Sequence, residues 1–403
     1  MRTADKLTEK TQGMKKSTGK IFLSFFIGIV VSVFSFFMFL ICLFSVHRTI
    51  LLILLPVFYL SFLLFLFIWN IANTKKIKLL LLIPALCFIA GIGIFGIQNY
   101  INNIPTVNEN NYSRIYTPFR TDNSLAVTDS EPDFKISGNF PILDGATALY
   151  PVYASFVQAV YREDAIDSLW DILMNNKTDS AYNNLLERKA DIIFCAEPSE
   201  AQLNRFAENG LRLKLIPIGR EAFVFIANKK NPVENLTIEN IHDIYSGKIT
   251  NWKELNGKNQ SVRAFQRPKN SGSQTMFEKI MGNTPVMDAR TENVQGMADI
   301  INQVALYRNF ADSIGYTFLF YATEMVRNDQ IKLLSINGIF PSIDTIQNNS
   351  YPFSDNFYAI FIDDDNKNEN TENFIKWILS DQGQELIQKT GYVPIKKGKF
   401  HDN

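Results

Sequence analysis

The chain opens with three apolar stretches, Ile21–Phe44, Ile50–Ala72 and Leu79–Gln98, and none holds an Asp, Glu, Lys or Arg in its interior. A helix rises 1.5 Å per residue, so about 20 apolar residues cross the hydrocarbon core, and the pattern predicts three transmembrane helices within 21–98. The first run is too long for a signal peptide, and no small-residue cleavage site follows it. Residues 99–133 are polar and Asn-rich, with Pro105, Pro118 and Pro132, and read as an extended extracytoplasmic linker. After Asp133 the pattern changes again. Strand-like runs at Phe134–Ile142, Asp191–Ala196, Leu213–Ile218, Phe223–Asn228, Ser261–Gln266 and Tyr358–Ile362 alternate with amphipathic helical segments. The helical period is clearest in Leu149, Val152, Tyr153, Phe156, Val157, Val160 and Tyr161. That alternation predicts an α/β domain with largely parallel sheets, and about 270 residues suit two lobes rather than one core.

Charge fixes the expected topology. Residues 1–98 hold 10 basic and 2 acidic side chains, leaving 30 basic and 38 acidic in the remaining 305, so a formal net charge of zero conceals +8 and −8. The amino-terminal tail carries Arg2, Lys6, Lys10, Lys15, Lys16 and Lys20, and the second loop carries Lys75, Lys76 and Lys78, against Arg48 alone in the first loop. The positive-inside rule makes the tail (1–20) and the Lys75 loop cytoplasmic and exports everything after Gln98. The basic residues flank apolar runs rather than one folded face, which excludes a nucleic-acid binder. Spans without ionisable residues read as an anchor in the lipid bilayer, not as an ion path.

The exported part contains one cysteine, Cys195, and two histidines, His242 and His401, without metal-ligand spacing. No metal site, no cofactor and no catalytic constellation is expected, so the chain does not read as an enzyme. Two other segments carry candidate chemistry. In Asp144-Gly-Ala-Thr-Ala-Leu-Tyr-Pro151 a strand ends in a glycine turn and a helix starts near Thr147. The free N–H groups of such a start attract anions, although a Gly or Thr there is by itself an ordinary cap. Arg267-Pro-Lys-Asn-Ser-Gly-Ser273 repeats the arrangement, with Ser271, Gly272 and Ser273 opening a helix and Arg267 able to present a charged fork. One such segment in each half points to a ligand held between lobes.

These residues resemble a family. Gly-Ala-Thr followed by Tyr150-Pro-Val-Tyr153, the arginine ahead of Ser271-Gly-Ser273, and Leu236-Thr-Ile-Glu-Asn-Ile-His-Asp-Ile-Tyr-Ser-Gly-Lys-Ile-Thr-Asn-Trp252 are similar to the phosphate-binding proteins of ABC importers. Asp312-Ser-Ile-Gly-Tyr316 and Gly391-Tyr-Val-Pro394 also fit, and the resemblance spans about residues 134–397. It implies a two-lobed, type II periplasmic-binding-protein fold over 134–403, with lobe 1 at about 134–222 plus 358–403 and lobe 2 at about 223–357. The hinge strands would be Phe223–Asn228 and Phe357–Ile362. Carried over motif by motif, the oxyanion contacts are Thr147, Ala148, Thr178, Arg267, Ser271, Gly272 and Ser273. Two departures stand out. Ala196 takes the place where some members keep a carboxylate that accepts the ligand's proton, leaving Glu197 beside it as a candidate acceptor, and Lys269 stands where an acidic partner of the arginine is common.

The resemblance therefore implies an extracytoplasmic protein of the cell membrane that captures phosphate or a related oxyanion and presents it to an ABC permease. The alternative is a sensor or adaptor that uses the same domain without transport.

Overall fold

The computed structural model describes residue 96 and residues 114–288, 300–301 and 312–395. The three apolar stretches (Gly96 apart), the basic tail, the linker up to residue 113 and His401 lie outside the described residues. Among the described residues, no helix is long and apolar enough to cross a membrane.

The fold is two-lobed and α/β. Strand β1 (Leu143–Gly145) leads through a single 3-10 turn, Thr147–Leu149, into α1 (Tyr150–Val160). There follow α2 (Lys177–Leu186), β2 (Ile192–Cys195), α3 (Glu200–Glu208) and the 16-residue strand β3 (Leu213–Asn228). The chain continues through α4 (Ile238–Tyr245), β4 (Arg263–Ala264), α5 (Gly272–Met281), β5 (Ser313–Phe318) and β6 (Ile331–Leu333). Strand β7 (Ser354–Ile362), α6 (Thr371–Ile378), α7 (Asp381–Thr390) and β8 (Val393–Pro394) return to the first lobe.

The strands run in the order β1-β2-β7-β3-β5-β4, with β8 and β6 also on β3. Within this sheet only the outer pairs, β1 with β2 and β4 with β5, are parallel, whereas β2, β3 and β5 meet their inner neighbours antiparallel; a separate short pair, Asn235–Leu236 with Ser335–Ile336, is also parallel. The expectation of largely parallel sheets is therefore corrected to a mixed sheet, because β3 and β7 cross between lobes instead of closing right-handed βαβ turns. Leu213–Ala222 of β3 pairs with β7, and from Phe223 onward β3 pairs with β5 and then β6. One strand thus serves both lobes where the sequence pattern suggested two. The strand expected at Phe134–Ile142 is not formed. Ile136 makes one bridge to Tyr161, and Phe140 stacks on the Tyr161 ring at 5.0 Å.

Each lobe has its own aromatic core. In the first, Tyr153 stacks on Phe194 at 5.1 Å, and Phe156 meets Phe374 and Trp377 edge-on. In the second, Phe277 stacks on Tyr316 at 4.6 Å, and Trp252 donates from its indole to the Asp312 carbonyl at 2.8 Å. Such pairs add about 1 kcal/mol each beyond the area they bury. His242 bridges the Ile280 carbonyl and the Thr284 hydroxyl, a packing role. The described end of the linker is tied to α7, where Glu385 accepts from the Asp129 N–H at 2.8 Å and Gln382 from the Asp133 N–H at 3.0 Å.

Candidate functional site

A cleft of about 260 Å³ lies between the lobes. It is lined by all seven residues expected to contact an oxyanion: Thr147 and Ala148, Thr178, and Arg267, Ser271, Gly272 and Ser273. Glu197, Ala196 and Lys269 line it as well.

The first lobe contributes two starts of helical structure. No side chain caps the 3-10 turn at Thr147. The first N–H groups of a helical start lack intrahelical partners, so Thr147 and Ala148 present backbone donors at the cleft wall. Gly145 is required just before them, since a Cβ there would lie 2.5 Å from the Phe194 carbonyl oxygen. Thr178 sits in the first turn of α2, and its loop is fixed by Asp144, a fully buried carboxylate at the end of β1. Oδ1 of Asp144 accepts from the N–H groups of Gly145 and Asn176 at 2.8 Å each, and Oδ2 accepts from the side-chain amides of Asn176 at 3.1 Å and Asn184 at 2.8 Å.

The second lobe contributes the charge. Ser271 caps α5 by accepting from the Gln274 N–H, and Ser273, 1% exposed, has a hydroxyl with no protein partner. Arg267 is buried, and its backbone N–H is held at 3.0 Å by both Gln274 and the Tyr316 hydroxyl. Tyr316 in turn donates to Gln274. Burial holds the Tyr316 phenol well above its ordinary range, so it remains a donor. Sequence reasoning does not single out Asp144, Gln274 and Tyr316 as site-builders, although Asp144 and Tyr316 lie inside quoted motifs and Gln274 directly follows one.

The lobes touch across this cleft. A Cβ on Gly272 would stand 3.0 Å from the Thr178 hydroxyl and 3.7 Å from the Ala196 methyl. At the mouth, Lys279 of α5 reaches Glu197 and Asp355, both at 2.8 Å. Glu197 is half-exposed and committed to that lysine, which sets it apart from the buried oxyanion donors. On the flank, the Ser199 hydroxyl donates to the Asn270 side chain at 3.0 Å, and Gln202 donates to the Asn270 carbonyl at 3.2 Å.

Three acidic side chains along the cleft have cationic partners, two of them sharing one lysine. Asp179 pairs with Arg205 at 2.7 Å, and Glu197 and Asp355 pair with Lys279. Glu221 on β3 is buried, and that burial pushes its carboxyl up to about 8, above what the nearby N–H groups of Phe320, Ala222 and Leu319 can lower. It is therefore mostly neutral near pH 7. Arg267, Lys177 and Lys269 line the same space, so the local field favours an anion despite the acidic balance of the surrounding domain.

Comparison with known proteins gives a consistent picture. The chain is 27% identical over 183 residues to the phosphate-binding protein PstS of Borreliella burgdorferi, covering 44% of this chain and 64% of that protein. It is 26% identical over 231 residues to the PstS of Staphylococcus epidermidis, covering 55% and 69%. For the PstS of Bacillus subtilis the values are 27% over 201 residues, 47% and 62%. The chain thus spans somewhat under two thirds of the Borreliella and Bacillus relatives. Among solved structures, a putative phosphate ABC transporter substrate-binding protein from Clostridium perfringens, with phosphate bound, superposes with a TM-score of 0.51 at 24% identity, covering 64% of this chain and 99% of that one, which speaks to the fold alone. The family model described as the PBP superfamily domain matches residues 142–382. That match takes in more than half of the chain, including both helix starts and Arg267, and on it the chain belongs to the PBP superfamily.

Proposed function

We propose that this chain is an extracytoplasmic binding protein that captures phosphate, or a closely related oxyanion, between its two lobes for an ABC importer. The observation that carries the reading is the convergence of two helix starts, at Thr147 and at Gly272, and a buried arginine on one cleft. Thr147, Ala148 and Thr178 supply neutral donors from the first lobe. Ser271, Gly272 and Ser273 supply donors from the second, where Arg267 neutralises charge. The names of the PstS relatives support phosphate as the anion. Closure buries the ligand, and only a ligand that prefers the closed state shifts the lobes toward it. The apolar stretches within 21–98 would anchor the chain with the amino terminus cytoplasmic, leaving a permease as the partner that accepts the ligand.

Isothermal calorimetry on the full chain in detergent, with phosphate, sulfate and molybdate, tests the reading. Saturable phosphate binding is expected. Silence toward every oxyanion would remove it. Membrane extraction that releases the chain at high pH or high salt would remove the anchor while leaving the site intact.

A further inference from the structure

Two cleft-lining residues outside the oxyanion cup, Thr275 and Glu221, carry a buried polar atom without a partner among the described residues, and Glu221 is the one that titrates. Glu221 lies on β3, two residues before Phe223, so both point to the same face of the strand, and both line the cleft. Its two oxygens differ. Oε1 accepts from the Ala222 N–H at 3.2 Å and the Phe320 N–H at 3.3 Å. Oε2 is buried and has no hydrogen-bond partner among the described residues. When the carboxyl is neutral, the proton belongs on Oε2, because Oε1 is already occupied as an acceptor. The result is a buried O–H without an acceptor among the described residues, on a side chain that lines the cleft, and leaving such a donor unmatched costs about 1–3 kcal/mol. A bound oxyanion supplies the missing acceptor.

We propose that Glu221 is a specificity-determining residue of the cleft, its neutral carboxyl donating a hydrogen bond through Oε2 to an oxygen of the bound anion. The proposal rests on the oxyanion reading of the same site and adds a proton to it. The charged and titratable groups facing Glu221 are few. Asp355 stands opposite it on β7 with Lys279 bound to it, and Tyr392, just ahead of β8, lies within reach of its charge. Burial, with Glu221 adding to it, holds the Tyr392 phenol well above its ordinary range. The segment after β5 presents the N–H groups of Leu319 and Phe320. Asp355 is compensated by Lys279 and Tyr392 stays neutral, so the group that changes charge in mild alkali is Glu221. An anion arriving beside it raises its proton affinity further, because two adjacent negative charges in a desolvated cleft repel. Capture of a fully deprotonated anion therefore draws a proton onto the protein.

Two substitutions separate a donor from a structural side chain. Glu221→Gln keeps an acceptor for the backbone N–H groups and an N–H in place of the O–H, whereas Glu221→Leu keeps neither. With inorganic phosphate and the full chain in calorimetry near pH 7, Glu221→Gln should bind within about threefold of wild type and Glu221→Leu at least about tenfold more weakly. Near pH 9 the wild type should fall about tenfold behind Glu221→Gln, since a carboxyl titrating near 8 is then mostly ionised in the free protein. The ligand's own titration cancels in that ratio. Parallel pH profiles for wild type and Glu221→Gln overturn the proposal. Should the variants fail to fold, the wild type alone decides. Phosphate binding near pH 8.5, measured in two buffers of different ionisation enthalpy, should take up most of one proton, and zero uptake overturns the assignment. A wild type that binds no phosphate at all brings down the oxyanion reading itself, an outcome distinct from binding without proton uptake.

Discussion

The two walls of the cleft work by different means. On the first lobe, α1 begins without a side-chain cap, and the groups offered to the anion are backbone N–H groups and the Thr178 hydroxyl, all neutral, with Lys177, Asp179 and Glu197 on the same wall. On the second lobe, α5 is capped by its own Ser271, and the wall adds the Ser273 hydroxyl and the guanidinium of Arg267. The positions also differ in how they are held. Thr178 depends on a buried carboxylate and two asparagines, whereas Arg267 depends on a tyrosine and a glutamine that grip its backbone. One wall sets shape and direction. The other sets charge.

The largest effect should come from the charged wall. Arg267→Ala is expected to weaken phosphate binding by about 100-fold or more in calorimetry, because hydrogen bonds to charged groups are worth about 1.5–3 kcal/mol and the ligand's charge is then left uncompensated. Arg267→Lys should recover only part of it, since a point charge cannot reproduce a planar fork. Next is the contact between walls. Gly272→Ala places a methyl 3.0 Å from the Thr178 hydroxyl, so the lobes must close a few tenths of an ångström short, with about tenfold weaker binding and an unchanged melting temperature. Thr178→Val removes one neutral donor and should weaken binding about three- to tenfold. A Thr178→Val loss as large as that of Arg267→Ala would break the division of labour. The smallest effect is at the mouth. Lys279→Ala releases Glu197 and Asp355, all three at least partly exposed, and should change affinity by less than about threefold while making ligand release faster and less salt-sensitive in stopped-flow measurements.

Much of the wall architecture is legible in the sequence because helix starts have a local grammar. The residues expected to face the core of α1 are all buried, and Gly-Ala-Thr and Ser-Gly-Ser open helices as their composition suggests. What a one-dimensional pattern hides is the far side of α1. Nine of its eleven residues are buried, since α7 returns from the end of the chain to cover what reads as its solvent face. Strand β3 reads as two pieces in the sequence because Gly219-Arg-Glu-Ala222 interrupts its apolar run. That interruption is where the strand leaves one lobe's sheet for the other's and where Glu221 meets the cleft, so the break in pattern was itself the signal. The run Phe134–Ile142 has the alternation of a strand, but its backbone pairing is confined to the bridge from Ile136 to Tyr161 and to the Ile142 carbonyl, which accepts from the Asp191 and Ile192 N–H groups. Its apolar residues pack instead of forming a ladder. Gln274 and Tyr316, which seat Arg267, are 42 residues apart in the chain, a distance no local spacing rule spans.

Asp144 has a bearing on engineering. Its four acceptor contacts join β1 to the loop that places Thr178 and to the last turn of α2, and the carboxylate that accepts them does not touch solvent. Anyone transplanting this anion pocket into another scaffold would gain little by copying the contact residues alone. The smallest portable module on this wall is Asp144 with Asn176 and Asn184, moved as one piece together with the turn they brace.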